Sequence, residues 1–306
     1  MTVKHSAWVS FAFWVLAPAV MVSVTPVSHA QEKSKTDATE DADSDSDEVK
    51  VSREAVKRAE TIARRIDVET FESGAWVKQP LRDKPLLITS DPTRFDARGT
   101  IWAWGEKGRP LMVNEIYYQP SANAGVDTWV IANYNSSEKK LRASHEERSW
   151  WREHNSAFKL HNLPNGPQPA KSAIGRQRQI KTLAARFTAH EFWDPDNSRF
   201  ELRLIERPLL TYSDPDKGLL DGALFTFANG TNPEILLYLE AHEDPTGKST
   251  GKFRFGVGRL AHAELHLVFD DAEVFTEGRF GTPNGPSLDY FLDLVKGPKP
   301  PPAKQE

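Results

Sequence analysis

The chain has 306 residues, no cysteine and a formal net charge of −4. Disulfides, cysteine-type zinc sites and cysteine nucleophiles are therefore excluded, and stability must come from a packed core. The charge is concentrated in residues 31–50, where eight acids face three lysines. From Val51 onward acids and bases balance, which leaves no basic footprint for nucleic acid.

The first thirty residues read as a signal peptide. Lys4 gives a positive start, Ala7–Val24 is apolar, and Ser28-His29-Ala30 is a small-x-small cleavage site before Gln31. An uncleaved membrane anchor is the alternative, since the apolar run is nearly long enough to span. Pro18 and the clean cleavage site favour removal, so export to the periplasm or beyond is expected, with no membrane span after cleavage. Residues 31–50 form an acidic, Ser-rich linker without aromatics, for which disorder is the default. In 52–66, Val56, Ala59, Ile62, Ala63 and Ile66 recur at helical spacing.

A stretch of about thirty-five residues then occurs twice. Pro85-Leu86-Leu87 matches Pro208-Leu209-Leu210, Ser90-Asp91-Pro92 matches Ser213-Asp214-Pro215, and Gly99 matches Gly222. Trp102 and Trp104 match Phe225 and Phe227, and Pro110 matches Pro233. With one residue of slack, Trp129–Tyr134 continues onto Phe253–Gly258, and Leu141 onto Leu265. Within each copy, period-2 apolar runs alternate with Ser-Asp-Pro and Gly/Asn/Pro turns. The fold expected is α+β: an antiparallel β-rich sandwich or open barrel of two duplicated halves, about 75–151 and 198–276, with about five strands each. Both halves belong to one domain over 51–296. Ser172–Phe187 is expected as an amphipathic helix connecting them, with Ile174, Ile180, Leu183, Ala184 and Phe187 on one face. Ser287–Val295 reads as a short helix, and 297–306 as a Pro/Lys-rich tail.

Four groups of residues bear on chemistry. His262, Glu264 and His266 alternate with apolar residues, so a strand puts all three on one face, where they supply three metal ligands or an ordinary polar surface. Glu240 and His242 share a face at the end of the central strand and, with His262 and His266, are the candidates for a hydrolase or lyase site. Trp102 and Trp104 offer either a flat platform for sugar rings or core packing, the use their Phe counterparts suggest. Asp214 and Asp221 are candidates for acid–base work, although turn formation accounts for both. Phosphate loops, nucleophile elbows and H-E-x-x-H are absent from the sequence.

The order of these elements, with R-Q-R-Q-I-K-x-L-A-x-x-F, E-L-R-L-I-E-R-P-L-L and D-G-A-L-F-T-F-A-N-G-T-N-P-E-I-L-L, resembles a family of exported planctomycete proteins with no known activity. The likeness covers Pro85 to about Phe275 and implies export and a single folded unit. Missing catalytic signatures and a neutral body point to a non-catalytic module binding an envelope protein or polysaccharide. The alternatives are the hydrolase or lyase, metal-dependent or not, and a structural envelope component.

Overall fold

The computed structural model describes residues 53–91, 97–119, 128–194, 196–281 and 289–296. The signal peptide, the acidic linker, the C-terminal tail and the proline of the first Ser-Asp-Pro turn lie outside them. The fold is antiparallel and β-rich, with a half-barrel and two helices.

In chain order the first half holds α1 (53–63), β1 (Ile66–Glu72), β2 (Ala75–Lys78), β3 (Leu87–Asp91), β4 (Ala97–Trp104), β5 (Met112–Gln119), β6 (Thr128–Asn135), β7 (Leu141–His145) and β8 (Arg148–His154). A short β9 (His161–Asn162) follows. The second half holds α2 (Ala173–Ala184), β10 (Phe187–Trp193), β11 (Ser198–Leu204), β12 (Leu210–Asp214), β13 (Leu219–Asn229), β14 (Asn232–His242), β15 (Lys252–Arg259), β16 (Glu264–Phe269) and β17 (Ala272–Glu277). The last strand, β18 (Tyr290–Lys296), returns to the first half and pairs with β6.

The registers of the two halves correspond pair by pair. Leu87 faces Ile101 on β4, and 123 residues further on Leu210 faces Leu224 on β13. Gly99 faces Tyr117 as Gly222 faces Glu240, and Trp104 faces Met112 as Phe227 faces Ile235. The correspondence begins before the sequence repeat: β1 runs between β2 and β7 as β10 runs between β11 and β16. There Glu69 faces Arg142 and His190 faces His266. Among the described residues α1 with β1–β8 and α2 with β10–β17 run in the same order, eight strands in each run against about five expected.

Three apolar clusters follow from strand alternation. Phe225, Phe227, Ile235, Leu237 and Leu239 point to one side of β13 and β14, where Ile180, Leu183 and Ala184 of α2 cover them. Trp102, Trp104, Met112 and Ile116 do the same on β4 and β5, under Ala55, Ala59, Ile62 and Ala63 of α1. The opposite faces meet each other: Ile101, Ala103, Val113 and Tyr134 pack on Tyr212, Leu224, Leu236 and Tyr238. Close approach is set by glycine. A Cβ on Gly258 would lie 2.5 Å from the Tyr134 ring, and one on Gly256 2.3 Å from Phe158. The Tyr134 hydroxyl then donates to the Val257 carbonyl at 2.9 Å. Apolar residues on both faces of β14 are thereby explained, because it lies between β13 and β15 and is covered on both sides.

Several expectations are corrected. Ile174 is 66% exposed, because only the last two turns of α2 meet the sheet. Phe187 opens β10 rather than closing the helix. Residues 290–295, expected as part of a helix, belong to β18, where seven residues pair along β6. The tryptophan platform is not at the surface: Trp102 and Trp104 are 0% and 1% exposed. The Trp102 indole donates to Thr100 Oγ1 at 2.8 Å, which satisfies its one polar atom inside the core.

Phe225 is fully buried at the centre of its cluster. Phe225→Ala is expected to cost about 3–5 kcal/mol in denaturant unfolding, the usual loss for a buried phenylalanine. A loss below about 1 kcal/mol, as at surface positions, would contradict this packing.

Candidate functional site

The seam where the two halves meet holds two clefts at corresponding places. The first is lined by Arg109, Leu111, Ser136, Glu138 and His242, among others, with a cavity volume of about 160 Å³. The second is lined by Asn232, Glu234, Leu260, His262 and Gln119 at the equivalent positions, together with Glu115, Tyr117, Glu191, Trp193 and Tyr290. Its volume is about 410 Å³, within the range of small-molecule sites.

The first cleft is filled from within. Glu240 lies near the C-terminal end of the apolar strand β14 and has no exposed surface. Arg109, from the loop between β4 and β5, holds it with both arms, Nε to Oε1 at 2.7 Å and Nη2 to Oε2 at 3.1 Å. The Tyr212 hydroxyl donates to Oε1 at 2.9 Å, and His242 Nε2 lies 2.7 Å from Oε2. Arg109 also bonds Glu138 at 3.0 Å and lies over the Phe158 ring, 4.8 Å from its centroid. Burial alone would push the Glu240 carboxyl up. The hydrogen bonds from His242 and Arg109 outweigh it and hold the group down at about 2. The pair is bidentate and satisfied on every side, a structural ion pair joining the two halves.

The second cleft has no such plug. Asn232 stands where Arg109 stands in the first, and its amide only reaches Glu234, at 2.6 Å. Among the described residues no lysine or arginine lines the cleft. Arg259 lies behind the lining, with its guanidinium on the carbonyls of Ala261, Gly278 and Ala263 and against Glu277 at 3.3 Å. Those bonds shape the loop that carries His262. Glu115, on β5 where β14 has Tyr238, is 2% exposed, and its Oε1 has no hydrogen-bond partner. Burial pushes its carboxyl up to about 8, so the group is protonated at neutral pH. His262 Nε2 is likewise without a partner. Burial, with Arg259 and Arg279 nearby, lowers the His262 pKa and keeps the imidazole neutral.

The residues singled out from sequence are therefore divided. Glu240 and His242 meet, but in the closed cleft. His262 precedes β16 instead of lying on it; its ring stacks on Phe280 at 5.0 Å. Glu264 and His266 do share the face of β16, at 3.0 Å. His266 Nδ1 takes Glu273 at 2.8 Å, and the ring stacks on His190 at 4.5 Å. The expected metal triad of His262, Glu264 and His266 is thus split. Among the described residues no group of three or more His, Asp or Glu is placed to hold a metal ion. Asp214 and Asp221 do not work as a pair: Asp214 bonds Lys217 at 2.7 Å and Asp221 bonds Arg176 at 2.5 Å. Sequence reading missed Glu115, Asn232 and Glu234. The signal was present in the repeat: an acid interrupts the inward face Val113-Glu115-Tyr117 where the other copy has Leu236-Tyr238-Glu240, and Asn232 replaces Arg109.

No family model, curated protein or solved structure matches the chain.

Glu115 makes the chain sensitive to alkali. A carboxyl whose folded pKa lies above its unfolded one contributes stability below about 4.5 that is lost as pH rises through about 8. Glu115→Gln mimics the protonated form. It should match the wild type in unfolding free energy at pH 4 and exceed it by a few kcal/mol at pH 8, at about 1.4 kcal/mol per unit of pH. Equal stability at both pH values would mean that Glu115 is not buried as described.

Proposed function

We propose that the chain is an exported, non-catalytic binding module of the cell envelope, built from two copies of one helix-plus-eight-strand unit, and that it holds a small organic ligand or one unit of an envelope polymer in the second cleft. The observation that carries this reading is Glu115: a buried carboxyl without a partner for Oε1, in the wall of a 410 Å³ cleft. Burying such a group costs free energy that a ligand recovers by pairing with it. The neutral His262 with its unpartnered Nε2, in the lining of the same cleft, supports the reading. Duplication is supported by the matching registers and by the meeting of equivalent faces. Export is supported by the N-terminal pattern of Lys4, an apolar run and Ser28-His29-Ala30. Among the described residues no helix is long and apolar enough to cross a membrane.

One observation favours the hydrolase or lyase reading instead. A carboxyl near 8 and a neutral imidazole in one cleft are matched to proton transfer near neutral pH. Both readings use the same cleft and differ in whether the ligand is returned unchanged.

Native mass spectrometry of the mature protein from its own envelope tests this. A small molecule should be released intact, and Ala261→Trp, which fills the cleft, should carry none. An equal load on Ala261→Trp would place the ligand elsewhere. Steady conversion of the released molecule by fresh wild-type protein, lost in Glu115→Gln, would turn the reading to catalysis.

A further inference from the structure

A further cleft, of about 450 Å³, lies beside α2. One wall is the helix, with Gln177 and Lys181, and the other is the run 207–211 that leads into β12. The Leu209 N–H already bonds the Leu224 carbonyl of β13, at 2.7 Å. Successive side chains of a strand face opposite ways, so a cleft lined by Leu209, Leu210 and Thr211 together follows the strand's edge rather than one face. β12 pairs with β13 alone, and among the described residues no strand lies along its other edge. Main-chain N–H and C=O groups there lack a strand partner. Gln177, Lys181, Arg207 and Thr211 make no side-chain hydrogen bond or ion pair among the described residues, and no described acid lines the cleft. We propose that this cleft docks an extended acidic segment of a protein partner, which adds a strand to the open edge of β12 and sets its carboxylates on Lys181 and Arg207.

Strand addition takes its affinity from main-chain bonds and its selectivity from the side chains that flank the edge. Both flanking charges here are positive, so acidic side chains complement them and basic ones are rejected. A small anion would pair with the same bases and leave the edge unused. Native edges are commonly blunted by charge on the strand itself. On β12 the exposed side chains of Thr211 and Ser213 carry none. Arg207 precedes the strand and Lys181 is on the helix, so the two bases flank the edge without blocking it.

The first half lacks this pair of bases. Its β3, the counterpart of β12, is also an edge strand. Ile66 and Phe187 open β1 and β10 against His145 and Phe269, and counting back from them sets Val56 and Glu60 against Gln177 and Lys181. Lys84, before Pro85, stands where the second half has Arg207 before Pro208. Glu60 is taken by Arg64 at 2.6 Å. The first place thus holds one charge of each sign where the second has two bases.

Fluorescence anisotropy of the mature protein with a labelled hexapeptide of alternating glutamate and valine tests this. The peptide should bind. Its glutamine counterpart should bind about tenfold more weakly or worse, because the carboxylates are gone. The glutamate peptide N-methylated at alternate residues should lose as much, because one row of its N–H donors is gone. The double variant Lys181→Glu with Arg207→Glu changes two exposed side chains. It should keep the wild-type melting temperature, lose the glutamate peptide, and prefer a lysine–valine peptide that the wild type rejects. Equal binding of the glutamate and glutamine peptides would overturn the proposal, as would no binding of the glutamate peptide at millimolar concentration. Full binding of the N-methylated peptide would overturn strand addition and leave a small-anion site in its place.

Discussion

The ion pair between Arg109 and Glu240 is the constraint around which the two halves are fitted. A carboxylate on an apolar strand, with no exposed surface, has to be charge-paired and hydrogen-bonded or it will not stay ionised. Its partner comes from the other half of the chain, 131 residues away in sequence. Tyr212 and His242 complete the shell. The pair thus fixes how the face of β5 and β4 lies on the face of β13 and β14, at the edge of the apolar seam formed by Val113, Tyr134, Leu236 and Tyr238. Hydrophobic burial drives that seam together, and the ion pair selects one alignment of it.

The same alignment has an opposite consequence at the equivalent place. There the halves exchange roles, so the groups that met as Arg109 and Glu240 are replaced by Asn232 and Tyr117. One position along the same strand face, where the second half has Tyr238, stands Glu115, which burial holds protonated. On the proposed reading, two similar halves that differ at a few inward-facing positions keep one cleft as a structural joint and leave the other for a ligand. Divergence, rather than the shared motif, is where function is expected in such a chain.

The strand pattern was legible because apolar alternation and Ser-Asp-Pro and Gly/Pro turns are local signals. The register shared by β3–β6 and β12–β15 follows from aligning Leu87 with Leu210 and Gly99 with Gly222. The flanking α1, β1 and β2 and their counterparts α2, β10 and β11 were not paired in advance. Their similarity is thin, and a two-residue difference in spacing hides it. The strand β18 was misread because capping and breaking residues around Ser287 and Gly297 resemble a helix, while the partner that makes it a strand, β6, is far away in sequence. His262 was placed on the strand by strict alternation, which cannot foresee that Arg259 gathers the carbonyls of Ala261 and Ala263 and turns the chain first. Trp102 and Trp104 are core because α1 covers them, a tertiary fact with only a hint in the Phe counterparts. Glu115 needed a comparison across the two copies, position by position, and a view of which face points to the seam.

That the Arg109–Glu240 pair holds the two faces in alignment is tested most directly by removing its cation. Arg109→Asn copies the second cleft into the first and leaves Glu240 buried without its cation, which should cost about 3–5 kcal/mol of stability. Methylguanidinium at millimolar concentration should then restore part of the lost melting temperature in the variant by occupying the vacated place, and leave the wild type unchanged. A variant as stable as the wild type, or one that methylguanidinium does not rescue, would contradict the account.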